Sequence, residues 1–391
     1  MIVGEKMTAI TGSAQSAVGR RLGRSGLDLT VEACLAAIAD AGLEVKDIDG
    51  LSTWPGFAEQ PPGFSPVGAP ELKEALRLKL NWHAGVSEAP GQFGSIFNAV
   101  GAITAGFCRH VLCFRVLTES SSAGKASVMG QGERVDGWSK YMVPFNALSA
   151  ANWTALFAQK HFDCYGTTRE QLAQIAINGR KNAALNPKAI YRDPLSLDEY
   201  MESRMISSPL CLYDCDVPVD GATAVIVSHI DAAADLRRPP LRIEAIGSAH
   251  NSRYSWFQFD DLATQALRDA AQMMWQRTDL KPADVDVAEL YDGFSFICLD
   301  WLEQLGFCPV GEGGRFIEGG ERIALDGELP LNTNGGHLSA GRTHGFGLLH
   351  EACVQLWGEG GARQVGGDPK VAAVAAGGGP LGGCMLLTSS Q

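Results

Sequence analysis

The chain repeats one pattern of strands and helices in its two halves. Residues 8–53 begin with TAITGSAQS and continue through TVEACLAAIADAGLEVKDIDGLST. Residues 241–296 begin with LRIEAIGSAHNS and continue through DLATQALRDAAQMMWQRTDLKPADVDVAELYDGFSF. Each copy predicts a strand, a Gly-Ser loop, a helix with apolar residues three and four apart, and a second strand. Asp49 and Asp286 occupy matching places just before that second strand.

A further helix and strand complete each copy. Ser95–Ala105 is a predicted helix before the strand His110–Phe114, and Gly345–Trp357 is a predicted helix before the strand Val371–Ala375. The order β-α-β-α-β therefore occurs twice. This predicts an α/β protein built from two doubly wound halves.

The predicted halves differ by one large segment. We assign residues 1–240 to the N-terminal half and residues 241–391 to the C-terminal half. The N-terminal half includes a segment at about 120–240 that lies between the two copies of the repeat. Within it, TTREQLAQIAINGRKNAAL has the capping pattern of a helix that begins at Thr168. We expect this segment to form a loop domain over the active face.

Charge limits the ligands that the chain can bind without help. The net charge is −12, and no run of Lys or Arg indicates a DNA or RNA face. We therefore expect no nucleic-acid partner. A polyanionic small molecule would need a local basic patch or one that a partner protein supplies.

The cysteines and the first residues indicate a compartment. None of the ten cysteines forms a Cys-x-x-Cys pair, and MIVGEKMTAITGSAQS does not have the pattern of a signal peptide. We therefore expect free thiols and a cytoplasmic location. Cys211 and Cys215 lack further ligands nearby, so we predict no metal site. No apolar stretch is long enough to predict a membrane span.

Three glycine-containing segments at predicted strand or loop ends are candidates for a ligand site. Leu331–Gly345 places glycines around polar residues just before a helix, which leaves backbone N–H groups for an anion. Ala288–Phe294 ends a strand with a Tyr-Asp pair that could perform acid–base chemistry. Gly377–Gly383 follows a strand and could hold an oxyanion. The ordinary alternatives are a surface loop, a tyrosine satisfied in the core and a tight turn.

The order of these segments resembles the thiolase superfamily. AELYDGF, NTNGGHLSAGRTHG and AGGGPLGG follow one another as they do there, and the chain is most similar to the lipid-transfer and sterol-carrier branch. YGTTREQLAQIAINGRKNAALNP also resembles the loop-domain helix of that branch, so the resemblance covers nearly the whole chain. It implies a thiolase fold of five layers, αβαβα, from two similar halves with a loop domain.

The catalytic positions of the thiolases are changed in this chain. By resemblance, the nucleophilic Cys falls on Ala89, the His of the Gly-His-Pro loop on Arg342 and the second Cys on Ala375. The Asn-Glu-Ala-Phe motif falls on Tyr291–Phe294. Alanine cannot carry an acyl group, so the covalent thiolase route is lost. The pattern resembles the steroid side-chain aldolases of the branch, which also lack the Cys and have a His-Gly like His344-Gly345, but usually have Tyr at the position of Arg342.

This resemblance implies a lyase that cleaves a carbon–carbon bond of a β-hydroxyacyl-CoA, with coenzyme A as part of the substrate and no other cofactor. We expect His344 to act as the base and Tyr291 as an acid or hydrogen-bond donor. Asp292 is expected to orient the site. The remaining candidates, for oxyanion or substrate binding, are Gly377, Gly378, Gly379, Arg342, His337 and Asn332.

Two other functions remain open from the sequence. One is an acyltransferase that moves an acyl group directly between bound donor and acceptor, without a covalent intermediate. The other is a non-catalytic lipid-transfer or scaffold subunit. Ionisable residues at Tyr291 and His344 favour either enzyme over the scaffold, and the missing Cys favours the lyase over the acyltransferase.

The resemblance also implies an assembly. The strand His110–Phe114, flanked by Arg115 and Glu119, is similar to the strand that pairs across the thiolase dimer, so we expect a homodimer. We also expect a DUF35 protein, with an OB-fold and often a zinc ribbon, in a heterotetramer. Such a partner could supply the basic entrance that the acidic chain lacks.

Overall fold

The computed structural model describes residues 4–54, 62–85, 92–123, 140, 142–147, 149–250 and 265–389. The described strands are β1 Thr8–Gln15, β2 Gly50–Thr53, β3 Trp82–Gly85, β4 His110–Thr118, β5 Met205–Ser207, β6 Leu210–Cys211, β7 Asp220–His229, β8 Leu241–His250, β9 Val287–Leu290, β10 Val371–Gly378 and β11 Leu381–Ser389. The described helices are α1 Gly26–Ala41, α2 Ala69–Leu76, α3 Gly94–Thr104, α4 Glu119–Ser122, α5 Ala150–Tyr165, α6 Arg169–Ala184, α7 Leu197–Glu202, α8 Ile230–Ala233, α9 Leu267–Trp275, α10 Ser295–Gln304, α11 Gly313–Ile317, α12 Gly336–Ser339 and α13 Gly345–Leu356.

The main sheet runs through both halves of the chain. Its strand order is β3-β2-β4-β7-β1-β8-β11-β10-β9. The strands from β3 to β1 come from the first half and those from β8 to β9 from the second. The halves join where β1 pairs with β8, through Ala9 opposite Arg242 and Ile10 opposite Leu241. In each half, the two parallel strands that the repeat predicts are neighbours: β2 beside β4, and β9 beside β10.

Three buried apolar clusters separate the layers. The first packs α1 and α2 on the outer face of the N-terminal strands. The second contains α3 and α13 between strands of both halves. The third packs α9, α10 and the loop-domain helices α5 and α6 on the C-terminal strands. Because side chains alternate along a strand, Ala372 and Val374 of β10 join the second cluster while Ala373 and Ala375 join the third. The predicted five-layer αβαβα order is confirmed.

The repeat appears in hydrogen bonding as well as in element order. The carboxylate of Asp49 accepts from the backbone N–H groups of Arg109 and His110, at the start of β4. The carboxylate of Asp286 accepts in the same way from Lys370 and Val371, at the start of β10. Each aspartate thus fixes the register of two parallel strands in its half. The sequence match between Asp49 and Asp286 therefore has a shared structural role.

The loop domain contains the predicted capped helix. Thr168 is the N-cap of α6, and its side chain accepts from the backbone N–H of Gln171. The helix before it, α5, ends at Tyr165. The division of the chain at residue 240 stays a prediction.

The predicted dimer strand is wrong. His110–Phe114 belongs to β4, and β4 has β2 on one side and β7 on the other. Its backbone groups are therefore used within the sheet. Among the described strands, β3 lies at the edge of the N-terminal half. None of the described helices is both long enough and apolar enough to cross a membrane.

Candidate active site

Tyr291 lies where β9 ends, beside the end of β10. Its backbone N–H donates to the carbonyl of Ala375 at 2.9 Å, which extends the pairing of the two strands by one residue. Its half-buried ring lies 5.0 Å from the ring of His337, at 58°. A methyl group at Gly293 would lie 2.5 Å from the Tyr291 ring, so glycine at that position leaves room for the phenol.

Asp292 holds the segment that carries His337. Its carboxylate accepts from the backbone N–H of His337 at 2.8 Å. Nδ1 of the His337 ring is 2.9 Å from the same carboxylate, an ion-pair distance with poor hydrogen-bond geometry. The other ring nitrogen, Nε2, donates to the carbonyl of His344 at 3.0 Å. At Gly336, where φ is 61°, a Cβ would lie 2.0 Å from Oδ2 of Asp292, so the close approach requires glycine. Asp292 therefore fixes the backbone of this segment, and its role in orienting the site stays a prediction.

His344 lies in the loop before α13, with φ of 56° and its side chain buried. Nη2 of Arg115 is 2.9 Å from its Nδ1. Arg115 also donates to the carbonyl of Phe64, and its guanidinium lies over the rings of Trp54 and Phe64 at 4.1 and 4.7 Å. Because arginine only donates, Nδ1 of His344 must accept, and the proton of the neutral ring is on Nε2.

The surroundings of His344 favour this neutral form. Burial lowers the pKa of His344 well below its ordinary value, and the charges of Arg115, Arg342 and His337 lower it further. At neutral pH the ring therefore presents an Nε2–H donor. The geometry favours hydrogen-bond donation by His344 over the base role expected from the sequence.

Arg342 is held between two carboxylates. Its Nε and Nη2 donate to Glu119, at 3.1 and 2.8 Å. Its Nη1 donates to both carboxylate oxygens of Asp216, at 3.0 Å each. Burial acts to lower the pKa of Arg342, but Asp216 and Glu119 outweigh it and raise the pKa above its ordinary value. Its positive charge is thus balanced within the protein.

Asp216 joins the loop domain to the Tyr-Asp segment. Its backbone N–H donates to the carbonyl of Gly293 at 3.2 Å. Burial raises the pKa of Asp216 to about 6, although Arg342 and His337 act to lower it.

A cavity of about 460 Å³ opens beside Asp216. It is lined by Arg20, Arg180, Tyr191, Leu212, Tyr213, Cys215, Asp216, Val217, Pro218 and Leu338. The guanidinium of Arg180 lies over the rings of Tyr191 and Tyr213, at 5.1 and 5.6 Å. Arg20 donates to the hydroxyl of Tyr191 at 2.8 Å. The wall therefore has a local positive patch, although the chain is acidic.

The side chain of Asn332 is engaged with the backbone of the sheet. Its Oδ1 accepts from the N–H of Leu290 at 2.7 Å, and its Nδ2 donates to the carbonyl of Leu290 at 2.9 Å. This buried amide ties the glycine-rich loop to the end of β9. Asn332 therefore has a clear structural role next to Tyr291, and a role in substrate binding stays a prediction.

The glycine triplet is less open than the sequence implied. Gly377 and Gly378 belong to β10, which continues past the predicted end, and Gly379 lies in the turn to β11. The N–H of Gly379 donates to Oε1 of Gln265, and the carbonyl of Gly377 accepts from Nε1 of Trp301 at 3.1 Å. The oxyanion role of Gly377 and Gly378 stays a prediction, and Gly379 already has a partner within the chain.

The position of the lost nucleophile, Ala89, lies outside the described residues. The nearest cysteines along the chain, Cys108 and Cys113, are buried, and burial raises the pKa of both thiols. Such thiols are poor nucleophiles. They belong to the core.

Sequence reasoning missed Arg115 and Asp216 as site residues. The signal for Arg115 was a charged residue within an apolar strand, since such residues are rarely buried without a partner. Glu119, which follows β4 directly, is a second charged residue next to this apolar strand. For Asp216 there was no usable signal, because its partner Arg342 lies far away in the sequence.

Comparison with known proteins agrees with this architecture. Residues 247–386 match the family model described as Thiolase C-terminal domain-like. The steroid side-chain-cleaving aldolase of Thermomonospora curvata is 34% identical, with 97% of each chain covered. The 17-hydroxy-3-oxo-4-pregnene-20-carboxyl-CoA lyase of Mycobacterium tuberculosis is 32% identical, covering 97% of this chain and 98% of that protein. The solved structure described as Ltp2-ChsH2(DUF35) aldolase superposes with a TM-score of 0.88 and 31% identity, covering 99% of each chain.

Proposed function

This chain belongs to the thiolase superfamily, in the branch of the steroid side-chain-cleaving aldolases, and we propose that it cleaves a carbon–carbon bond of a β-hydroxyacyl-CoA by a retro-aldol reaction. One observation supports this most directly. By resemblance Arg342 stands at the position of the thiolase histidine, and its guanidinium, held by Glu119 and Asp216, is already protonated and cannot act as a base. Tyr291, His337 and His344 remain around that position to act on a substrate that forms no bond to the protein.

The name of the mycobacterial lyase indicates a suitable substrate class. In 17-hydroxy-3-oxo-4-pregnene-20-carboxyl-CoA, the hydroxyl group at carbon 17 is β to the thioester. Loss of the hydroxyl proton allows the bond between carbons 17 and 20 to break. Its electron pair passes to the thioester as an enolate, and a ketone forms at carbon 17. Protonation of carbon 20 then releases propionyl-CoA.

We propose that His344 and Tyr291 stabilise and protonate the enolate in this reaction. The Nε2–H of His344 is the donor that the Arg115 contact leaves available, and it would bind the thioester oxygen as negative charge develops. Tyr291 would supply the proton to carbon. Asp292 acts through His337, which supports the loop carrying His344 through its carbonyl. Backbone N–H groups of Gly377 and Gly378 are further candidates for the oxyanion.

The cavity beside Asp216 suits the entrance of an acyl-CoA. Arg20 and Arg180 in its wall offer the positive charge that a phosphate-bearing ligand needs, and Tyr191 and Tyr213 offer apolar surface. This local patch reduces the need for a partner to supply a basic entrance. No cofactor other than the substrate's own coenzyme A is required by the proposed chemistry.

We also propose a homodimer that associates with a DUF35 protein in a heterotetramer. The solved Ltp2-ChsH2(DUF35) aldolase, which superposes over nearly the whole chain, supports the DUF35 partner. For the homodimer, β3 replaces β4 as the candidate contact, because it is at an edge of the described sheet. A reducing cytoplasm is the proposed location, and the ten free thiols support it.

The test is direct incubation with 17-hydroxy-3-oxo-4-pregnene-20-carboxyl-CoA, followed by chromatography of the steroid and the CoA thioesters. The reaction should be run with the chain alone and with ChsH2(DUF35) added. We expect equal amounts of a 17-ketosteroid and propionyl-CoA. An unchanged substrate in both conditions would contradict the proposal and favour a binding or scaffold role. Loss of CoA without cleavage of the carbon chain would favour the acyltransferase.

A further inference from the structure

A retro-aldol reaction needs a base for the hydroxyl proton, and neither histidine near Tyr291 is placed to be one. Nδ1 of His344 accepts from Arg115, and its Nε2 carries the ring proton. Nε2 of His337 donates to the carbonyl of His344, and its Nδ1 faces Asp292. In both rings Nδ1 therefore faces another side chain, Arg115 in one and Asp292 in the other.

The carboxyl groups near the site differ in what they face. Asp292 faces the backbone and ring of His337. Glu289 accepts from the backbone and hydroxyl of Thr333, and burial raises its pKa well above the ordinary value. Asp216 alone supplies a carboxylate among the described residues that line the 460 Å³ cavity. Its side chain is 8% exposed, so it is largely buried and still accessible from the cavity.

We propose that Asp216 is the general base that removes the hydroxyl proton in the cleavage reaction. This proposal rests on the proposed function and extends it to a residue outside the glycine-rich motifs. Asp216 lines the cavity in which the acyl-CoA is proposed to bind, and its backbone is bonded to Gly293, two residues after Tyr291. A carboxylate has several acceptor positions, so the contacts with Arg342 leave others for a substrate hydroxyl.

The charges around Asp216 suit this role. Arg342, from the loop after α12, and His337, in α12, favour the ionised form, while Glu119 in α4 and burial oppose it. The resulting pKa of about 6 leaves Asp216 ionised at neutral pH but still able to take a proton. An ordinary aspartate, with a pKa near 4, would be a weaker base.

The proton balance closes without an added reactant. The hydroxyl proton moves to Asp216, its oxygen forms the ketone, and the carbon–carbon electron pair becomes the enolate. Tyr291 gives a proton to the enolate carbon and becomes a phenolate. Asp216 then releases its proton to water, and Tyr291 regains one from water. No electrons are gained or lost overall.

Asp216 and Glu119 provide a matched pair for the test, because both bind Arg342. If Asp216 only held Arg342, Asp216→Asn and Glu119→Gln would lower activity by similar factors. A base has a further effect that Glu119 does not share. In the wild-type protein, kcat/KM should fall as the pH drops below about 6, because Asp216 becomes protonated. Glu119→Gln should keep this fall of kcat/KM at low pH, which we call the acidic limb of the pH profile.

The decisive experiment measures cleavage and proton exchange in the same proteins. Cleavage of 17-hydroxy-3-oxo-4-pregnene-20-carboxyl-CoA needs the base that removes the hydroxyl proton. Exchange of the α-proton of propionyl-CoA in D₂O needs only the groups that stabilise and protonate the enolate. We expect Asp216→Asn to lower cleavage by about 10²–10⁴-fold, to lose the acidic limb, and to retain exchange within about tenfold. Retained exchange also shows that the variant is folded.

Other outcomes would overturn the assignment. If Asp216→Asn cleaves within about tenfold of the wild type, Asp216 is not the base. If Asp216→Asn and Glu119→Gln lose cleavage and exchange equally, Asp216 only positions Arg342. A wild-type protein that exchanges propionyl-CoA but does not cleave the hydroxyacyl-CoA would instead contradict the proposed lyase function. One that does neither would overturn both.

Discussion

Nη2 of Arg115 donates to Nδ1 of His344 across 2.9 Å, in a site where both side chains are buried. Arg115 is on β4 of the N-terminal half, and His344 lies immediately before α13 of the C-terminal half. A contact between the halves therefore sets the tautomer of a candidate catalytic residue. It leaves the ring proton of His344 on Nε2, the donor that we propose for the thioester oxygen.

The tautomer of His344 can be tested by replacing Arg115. Burial and Arg115 lower the pKa of His344, so the wild-type ring should be neutral at neutral pH, with its proton on Nε2. In Arg115→Gln the positive charge is lost, so the pKa of His344 should rise, although burial still holds it below the ordinary value. Arg115→Lys, which keeps the charge, is the control.

The measurement is ¹⁵N NMR of histidine-labelled protein, with His344 assigned from a His344→Asn variant. The direction of the pKa shift of His344 also determines how it affects stability at low pH. A lowered folded pKa means that the unfolded chain binds more protons, so His344 reduces the free energy of unfolding as the pH falls below about 6.5. A wild-type His344 that titrates near its ordinary pKa would contradict the assigned hydrogen bond.

Tyr291→Phe and His344→Ala should each lower the rate of cleavage by at least about a hundredfold, while the protein stays folded. The first removes the phenolic proton, and the second removes the donor for the thioester oxygen. Steady-state kinetics measures the effect, and circular dichroism checks the fold. Tyr165→Phe, at an exposed tyrosine of α5, is the control and should cleave like the wild type. Near-native cleavage by both site variants would make this assignment wrong.

Asn332→Ala should lower the stability of the protein. The change removes two buried hydrogen bonds to the backbone of Leu290 and leaves both backbone groups unpaired. Asn332 also has φ of 48°, a conformation that Asn adopts more easily than Ala. We expect a loss of about 2–4 kcal/mol in the free energy of unfolding, measured by urea denaturation. An unchanged denaturation midpoint with a raised KM would instead support the substrate-binding role.

Ala89→Cys should not restore thiolase activity. A thiolase needs a base for its nucleophile and a second Cys, and this chain has Arg342 and Ala375 at those positions. The guanidinium of Arg342 is already protonated and is held so by Glu119 and Asp216, so it cannot take a proton from a thiol. The assay is thiolysis of a 3-oxoacyl-CoA with free CoA. Turnover by the single variant would show that the remaining site can still support acyl transfer.

The fold was predictable because its evidence is local and occurs twice. The strand, the helix and the aspartate before the second strand can be found within about fifty residues of each other, and Asp49 and Asp286 then take the same structural place. The order of the strands in the sheet was harder to predict from the sequence. Nothing in His110–Phe114 shows that β4 has neighbours on both sides, because one of them, β7, is more than 100 residues later.

The site was only partly predictable for the same reason. Tyr291, Asp292 and His337 come from motifs with glycine signatures. In contrast, Arg115 and His344 are separated by 229 residues, and Arg342 and Glu119 by 223. Neither periodicity nor spacing encodes such contacts. The form of His344 and the partners of Arg342 therefore required the structure.

The most direct test of non-covalent carbon–carbon cleavage is a reaction without free CoA. The enzyme is incubated with 17-hydroxy-3-oxo-4-pregnene-20-carboxyl-CoA and, where needed, ChsH2(DUF35), and samples quenched during turnover are analysed by chromatography and intact-protein mass spectrometry. We expect propionyl-CoA and the 17-ketosteroid in equal amounts, with the protein mass unchanged throughout. Cleavage that requires added CoA, or an acyl group attached to the protein during turnover, would contradict the account.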